Sequence, residues 1–572
     1  MKLVAGIKHS IEKHPAWYVF FTLCALIFFV YGFSVLKLGF VSDDYEMLWV
    51  TRHHTGSVFS YFLTNLIGVR GGHSYGPIYN LFFSTEYALF GMQAWGYHLV
   101  SLLLHALTSF FIYLFSARLL KKKGRAFMIS ILFALWHTHV SSLAWISVQP
   151  HLIATCAYIG GLWAFLYFLD TQKKWMYVIS MIAFAAGIFA KEIAMTFPLM
   201  MLLLLYIRRN QWAWTYLIRK SVLLLLLPAV VFVSYFLLRQ YTTSAGLGFY
   251  ANTGLHIDFV RMWQMFLELS TNMVVAAPYR HMIVLWLLAH TVVMSVSIVV
   301  VFLLPYIVLK KKSLSTYLSM LCYAIVTVPV LQLGYNTLTN EGERYTYLPS
   351  FFFLLTLVLF FTKIIRVYKK QCIARVFGMF LFVCALTWSV FISTQKIQDW
   401  TDADSIVRSV VSSYSDVSLA PNTYVYLLGL PDTLNGAQLF RNASFYMFAL
   451  ETGDSLLKGD RISMYHQITA DSFSDTTLSF EFDNSASSTW MLQDQDIFFD
   501  RPFIGLPVVN HDYADFMITD FRKSDESGTS IVVSRSEEQR RAADTDDVEV
   551  AILTYTHGTL KPFYLNIATS TP

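Results

Sequence analysis

Two adjacent carboxylates, Asp43 and Asp44, follow directly on an apolar run in the stretch GFVSDDYEMLW, residues 39–49. A carboxylate at a water–membrane boundary can take a proton from an acceptor hydroxyl or hold a divalent cation, and adjacency lets one acid react while its neighbour orients. The same pair can simply cap the following helix or be solvated, and the two residues alone do not choose between these roles. A second group, NEGERYTYLP (340–349), sets Glu341, Glu343 and Arg344 at the entry to another apolar run. A guanidinium there can clamp a phosphate through paired donors. Taken by itself, the group reads better as an interfacial Glu–Arg salt bridge, with Tyr345 and Tyr347 in an aromatic belt. Lys191 and Glu192 are the third group, lying between two apolar runs with no loop to solvate them; they form a local ion pair or point into a shared polar cavity. His137, His139 and His151 are the fourth. Histidines two apart on a helix diverge by about 200°, so His137 and His139 do not make a metal site together. One of the three is expected to touch a substrate, and the others to be satisfied locally.

The elements that must position these groups are apolar. Of the 572 residues, 56% are hydrophobic, 17% aromatic and only 14% charged, against roughly 25% charged in an ordinary soluble domain. This is the composition of a polytopic membrane protein. The net charge of +5 does not indicate a nucleic-acid partner, because Lys and Arg gather in short clusters between apolar runs, as in cytoplasmic loops, and no nucleic-acid-binding motif is present. Cys24, Cys156, Cys322, Cys372 and Cys384 lie in or beside apolar runs without metal-ligand spacing, which leaves disulfide and zinc arguments no support.

Candidate spans fall at 18–38, 95–118, 126–145, 152–169, 175–190, 193–207, 220–238, 281–308, 314–334, 347–362 and 374–394. The first follows the basic stretch MKLVAGIKHSIEKH without a small-residue cleavage site, so an uncleaved signal anchor is expected. With the N-terminus inside, the basic clusters at 121–125, 172–174, 208–210, 219–220, 310–312 and 363–370 all land on the cytoplasmic side. That gives about eleven spans, the last leaving the chain outside. The stretch 175–207 as one helix would run about 50 Å against a hydrocarbon core of about 30 Å. It must break, and AKEIA is the place, because charges there cost about 3 kcal/mol each at a helix centre but little at an interface.

The same parity puts all four polar groups on the outer face. Between the first two spans, SVFSYFLTNLIG and YGPIYNLFFSTEYALFG mix aromatic and polar residues as interfacial helices do, placing such helices at about 42–92. From about residue 395 the composition shifts to Ser, Thr, Asp and Asn, with short β-prone runs NTYVYLLGL, DTTLSFEF, TSIVVSR and VEVAILTY. The expected architecture is therefore an α-helical membrane domain over 1–395 and a soluble extracytoplasmic domain over 396–572, mixed α/β or β-rich. No Gly-rich phosphate loop occurs.

In this order the motifs resemble the GT-C glycosyltransferases, and especially the O-mannosyltransferase-like membrane proteins whose better-known members carry TPR repeats. GFVSDDY resembles that family's acidic first-loop motif, and YHLVSLLLHAL (97–107) the helix after its interfacial segment. FALWHTHVSSLAWI (133–146) resembles its His-containing third span, AKEIAMTFPLMMLLL (190–204) its Lys–Glu turn, and GERYTYLPS (342–350) its Glu-Arg-Tyr motif before a late span. The likeness covers about residues 15–395. Three departures stand out. Thr138, Ser141 and Ser142 replace a Pro and an acid that relatives often carry; Gly76-Pro77 replaces an Arg-Pro; and the TPR array gives way to a tail in which LLGLPDTLNGAQLFRNA (427–443) is similar to bacterial members. Those positions take no family role.

The resemblance implies a glycosyltransferase that moves a sugar, mannose being the first candidate, from a polyprenyl-phosphate donor to an acceptor hydroxyl on an extracytoplasmic protein or cell-envelope glycan. A flippable lipid donor is required because nucleotide sugars are made in the cytosol whereas the polar groups face outward. Asp43 or Asp44 would be the base, Arg344 and Lys191 would hold the donor phosphate, and Glu192, Glu343, His139 and Tyr345 would bind substrate. Inversion at the anomeric carbon is expected. A divalent cation could join the first-loop acids, although no ligand spacing compels one. The expected setting is a bacterial plasma membrane, N-terminus cytoplasmic and C-terminal domain outside. The competing class is a transporter or flippase of a lipid-linked or polar substrate, which predicts ionisable residues deep within spans and often an internal repeat; this sequence shows neither.

Overall fold

The computed structural model describes residues 15–66, 74–209, 214–243, 259–275, isolated positions between 283 and 290, 314–331, 342–367, 371–417 and stretches of 419–564. The expected span at 281–308 and the acid Glu341 lie outside the described residues, apart from those isolated positions.

Among the described residues, six helices are long and apolar enough to cross a membrane, or seven if one bent pair counts as a span. They include Ala94–Leu120, Gln149–Thr171, Trp214–Thr242, Tyr347–Val367 and Gln371–Ser415. Shorter apolar helices lie at Lys174–Ala190, Glu192–Ile207 and Leu314–Val330. Pro77, Pro150 and Pro198 sit in the first turns of their helices, where the missing N–H would have had no intrahelical partner. The Gln149–Thr171 helix is the hub, packing on both Ala94–Leu120 and Lys174–Ala190. Gly160 and Gly161 permit the approach: a Cβ on Gly161 would stand 3.0 Å from the Phe197 ring. Small residues at such crossings let apolar helices pack closely where water-driven burial contributes nothing.

The helix expected at 126–145 is not continuous. Lys123–Ala134 ends, Trp136 turns extended (φ −78°, ψ 130°), and His137–His139 forms a 3-10 turn before a short helix at Val140–Ala144, with a bend of 48° across the break. Trp145 is extended again, and another 3-10 turn, Ile146–Val148, leads into the next helix. Backbone groups freed inside a bilayer must find partners. Here Ser389 supplies two, accepting the His137 N–H (2.7 Å) and donating to the Leu135 carbonyl (2.7 Å), while His105 Nε2 donates to the Ala134 carbonyl (3.0 Å). The other break falls at the expected place: Lys191 is extended (φ −158°, ψ 137°) between the Lys174–Ala190 helix and a 3-10 turn at Glu192–Thr196.

By contacts the chain forms two units, one of residues 1–39 and 50–398, the other of 40–49 and 399–572. In the second, a four-stranded sheet has the order Thr559–Tyr564, Val550–Thr556, Tyr424–Leu428, Lys458–Ile462. Tyr424–Leu428 is parallel to both its neighbours. A parallel pair needs a crossover, and the Ser444–Thr452 helix lies within it. A five-stranded antiparallel sheet runs Ile468–Ser474, Thr477–Phe482, Gly528–Ser534, Met517–Ser524, His511–Asp512. All four β-prone runs quoted from the sequence coincide with strands.

Candidate functional site

In the helical unit, the predicted residues stand where helices stop. Lys191 and Glu192 form an ion pair at 3.2 Å across the break between two helices. The Glu192 carboxylate also lies in the field of Arg239, itself 2% exposed near the end of the Trp214–Thr242 helix. Gly76 approaches this break closely, since a Cβ there would stand 3.0 Å from the Ala190 carbonyl.

Glu343, Arg344 and Tyr345 occupy the 3-10 turn Glu343–Thr346, entered through Gly342 at φ 89°, a left-handed conformation that glycine adopts without strain. This turn packs on His137–His139 and Val140–Ala144, the two pieces of the broken span. Glu343 pairs with Lys396, whose ammonium also donates to the His137 carbonyl (3.3 Å). Glu343 thus bridges to the last helix rather than to its sequence neighbour, while Glu341, the other acid of this group, lies outside the described residues. The Arg344 guanidinium lies 5.1 Å from the Trp145 ring centre and 4.8 Å from that of Tyr345, and it donates to the Tyr345 hydroxyl (3.2 Å). Aromatic faces favour a cation electrostatically and leave its in-plane N–H groups able to engage an oxyanion.

The three histidines part company. His139 is fully buried, its Nε2 donating to Ser350 Oγ (2.8 Å) while Ser350 donates to the Tyr347 carbonyl (2.8 Å). Its ring is wedged against Phe133 and Tyr347. His105, from the Ala94–Leu120 helix, joins the cluster. Because its Nε2–H faces a carbonyl, its Nδ1 accepts the Tyr347 hydroxyl (2.7 Å). His137 and His139 lie on a 3-10 turn rather than an α-helix. His151 is different: it lies one turn into the Gln149–Thr171 helix, 4% exposed, its ring 5.7 Å from that of Tyr345. The positive charges of Lys191 and Arg344 both bear on it, and its Nδ1 has no hydrogen-bond partner. Tyr345 thus has the His151 ring and the Arg344 guanidinium as neighbours. Sequence spacing gave no reason to prefer it over His139, and Lys396 carried no signal beyond being a lone basic residue near the end of a span.

Asp43 and Asp44 open the Asp43–Arg52 helix of the second unit. Asp44 is fully buried, and its carboxylate accepts the Val41 N–H (3.1 Å), so it ties down the start of its own helix. Asp43 is half-buried and accepts a 3.3 Å bond from the Ser42 hydroxyl. Beside it, burial and then the Asp43 charge push the Glu46 carboxyl up to about 7. Among the described residues, no three His, Cys, Asp or Glu side chains cluster so as to hold a metal ion.

Residues 74–238 match the family model described as dolichyl-phosphate-mannose-protein mannosyltransferase. With the apolar helices, this bears out the resemblance to GT-C-type, O-mannosyltransferase-like proteins and makes the chain an integral membrane protein. A curated relative, protein O-mannosyl-transferase Tmtc1 of Drosophila melanogaster, is 23% identical over 180 residues, which are 30% of this chain and 21% of that protein. The chain therefore spans about a fifth of that relative's length. Among solved structures, the Archaeoglobus fulgidus oligosaccharyltransferase is 11% identical, over 72% of this chain and 60% of that one, with a TM-score of 0.37. The matched residues contain three of the five quoted motifs; GFVSDDY and GERYTYLPS fall outside them.

Proposed function

We propose that the chain is a membrane glycosyltransferase that moves a sugar, mannose first among candidates, from a polyprenyl-phosphate donor to an acceptor hydroxyl on an extracytoplasmic protein or cell-envelope glycan. The observation that carries this is the placing of Lys191 and Arg344 at helix breaks, with the Arg344 guanidinium 4.8 Å from the Tyr345 ring centre and the His151 ring 5.7 Å from that same ring. A guanidinium held near aromatic faces, beside a buried imidazole whose Nδ1 has no hydrogen-bond partner, suits an oxyanion at the membrane boundary.

In the proposed step, Asp43 accepts the acceptor's hydroxyl proton, the freed oxygen bonds to the anomeric carbon from the face opposite the phosphate, and the carbon–phosphate-oxygen bond breaks. The bonding electrons go to the departing polyprenyl phosphate. Its charge grows by one as it leaves, so cations fixed at that phosphate stabilise the transition state more than the ground state. Arg344, Lys191 and His151 are assigned that task. Asp43 is preferred as base because Asp44 is buried and engaged with Val41. Glu192 and Glu343 orient Lys191 and Lys396 through their ion pairs, and Tyr345 steadies Arg344. His139, bonded within the helix bundle, yields its expected place at the substrate to His151. The wider picture includes about eleven spans, a bacterial plasma membrane and outward-facing breaks.

The test uses purified protein in lipid nanodiscs, radiolabelled polyprenyl-phosphate sugars and candidate acceptors, with and without a divalent cation, which the paired acids could recruit. Transfer that disappears in Arg344→Ala and in Asp43→Asn is expected. Folded wild-type protein that transfers no sugar from any such donor defeats the proposal.

A further inference from the structure

The acids' helix is held by the C-terminal part of the chain, and the contacts are specific. At ten residues, Asp43–Arg52 is shorter than an isolated helix needs to persist in water. Ser42, at its entry, has φ 47°, a left-handed conformation that costs a residue with a Cβ about 1–2 kcal/mol. What holds it there is the Leu439 carbonyl, which accepts the Ser42 N–H at 3.0 Å. Further along, Tyr45 is buried and its hydroxyl donates to Glu451 (2.9 Å), while Trp49 stacks on Tyr446 at 5.4 Å between ring centres and an interplanar angle of 26°. Tyr45 and Trp49 are four residues apart, so they share one face of the helix. Asp43 lies about 200° around the helix from Tyr45 and points away from that contact face. Tyr446 and Glu451 both belong to the Ser444–Thr452 helix, anchored by the buried Met447 and Phe448.

Resting on the activity proposed above, we infer that the segment Leu439–Glu451 is a positioning element for the chemical step. It fixes the turn and the rotation of the acid-bearing helix, and so the direction in which Asp43 presents its carboxylate. Tyr45, Trp49, Tyr446 and Glu451 act through Asp43 rather than on substrate. The C-terminal domain then contributes to turnover itself, whatever else it recognises.

The experiment measures kcat and donor KM for full-length wild type, Tyr45→Phe, Tyr446→Ala and Tyr446→Phe in nanodiscs, with hydrogen exchange over residues 41–52. Tyr446→Ala is expected to lower kcat at least tenfold and Tyr45→Phe several-fold. Donor KM should stay within twofold, exchange should accelerate over 41–52, and Tyr446→Phe, which keeps the stacked ring, should restore kcat. If Tyr446→Ala does not fold, Tyr45→Phe, which removes a single hydroxyl, carries the test. Active wild type with kcat unchanged in the folded variants overturns this inference alone, as does a loss confined to KM. A wild type without transfer overturns the proposed activity, and the catalytic role inferred here falls with it.

Discussion

Glu86 is a buried carboxyl that the fold keeps neutral, and replacing it with Gln should change how stability depends on pH. It lies 3% exposed on the Pro77–Phe90 helix, opposite Gln149. Gln149 Nε2 donates to Glu86 Oε1 (3.0 Å), to the Tyr97 carbonyl (3.2 Å) and to Ser101 Oγ (3.1 Å). Glu86 Oε2 and Gln149 Oε1 are both buried and without a partner, a pattern resolved if Glu86 carries a proton and donates it to the amide oxygen. Burial raises the carboxyl to about 8, only partly opposed by the bond from Gln149. Between pH 4.5 and 8 the unfolded chain has lost this proton and the folded chain has not, so stability must fall as pH rises through that window. At about 1.4 kcal/mol per unit, the total loss is on the order of 4–5 kcal/mol. Glu86→Gln keeps the shape and both hydrogen bonds but has nothing to ionise. Thermal unfolding in nanodiscs from pH 5 to 8.5 should therefore show the wild type losing about 3–4 °C relative to the variant across that range. At pH 5 the two should agree. Parallel curves would show that Glu86 ionises normally and that the neutral acid–amide pair is wrong.

Three further outcomes follow from the helical unit. His151→Ala should weaken binding of polyprenyl phosphate alone by about tenfold, the worth of one hydrogen bond to a charged group, in protein that stays folded despite the cavity left by a buried ring; equal affinity would remove His151 from the phosphate site. Breaking the buried pair by Lys396→Met should cost about 3–5 kcal/mol by stranding Glu343, and the double replacement Glu343→Leu with Lys396→Met should recover much of it; a double variant as unstable as the single would refute the stranded-charge account. Ser389→Ala removes the partner of both the His137 N–H and the Leu135 carbonyl. It should lower stability by about 1–3 kcal/mol in thermal unfolding, and no change would mean that the break is satisfied by other groups.

The sequence reveals helices wherever composition alone decides. Among the described residues the apolar runs are helical, and the stop at Lys191 was legible because two charges in 33 apolar residues have nowhere to go but an interface. The end of the span at 145 was legible too, but the stop at Ala134 inside it was not. FALWHTHVSSLAWI contains neither Pro nor Gly, and nothing in its periodicity distinguishes it from an unbroken span. What stops it is tertiary: Ser389 and His105, far away in sequence, offer the hydrogen bonds that an unbroken helix would have made for itself. The Glu343–Lys396 pair escaped for the same reason, since Glu343 has Arg344 as a neighbour in sequence yet bonds across to the last helix. The last helix also runs on to Ser415, beyond the expected end at 394, because QKIQDWTDADSIVRSVV has no Gly or Pro and sets Ile397, Trp400, Ala403, Val407 and Val410, all buried, at helical spacing.

The contrast between His139 and His151 shows how the fold sorts polar residues within this unit. Both are buried, and both lie beside helix breaks. At His139 the surrounding groups are hydroxyls and rings, and the ring's Nε2 is engaged with Ser350, so the side chain helps close the broken span in place of a lost backbone bond. At His151 the surroundings are the charges of Lys191 and Arg344, and a ring nitrogen is left unpaired. Neutral partners suffice to satisfy a broken backbone, because each unmet N–H or carbonyl needs only one hydrogen bond. Cations are a poor choice for that purpose, since burying them costs several kcal/mol unless an opposite charge comes with them. Lys191 comes with the Glu192 carboxylate at 3.2 Å, which offsets that cost, and Arg344 lies near the Trp145 and Tyr345 rings. The breaks are thus closed by different means: hydroxyls and rings at His139, an ion pair at Lys191 and aromatic faces at Arg344.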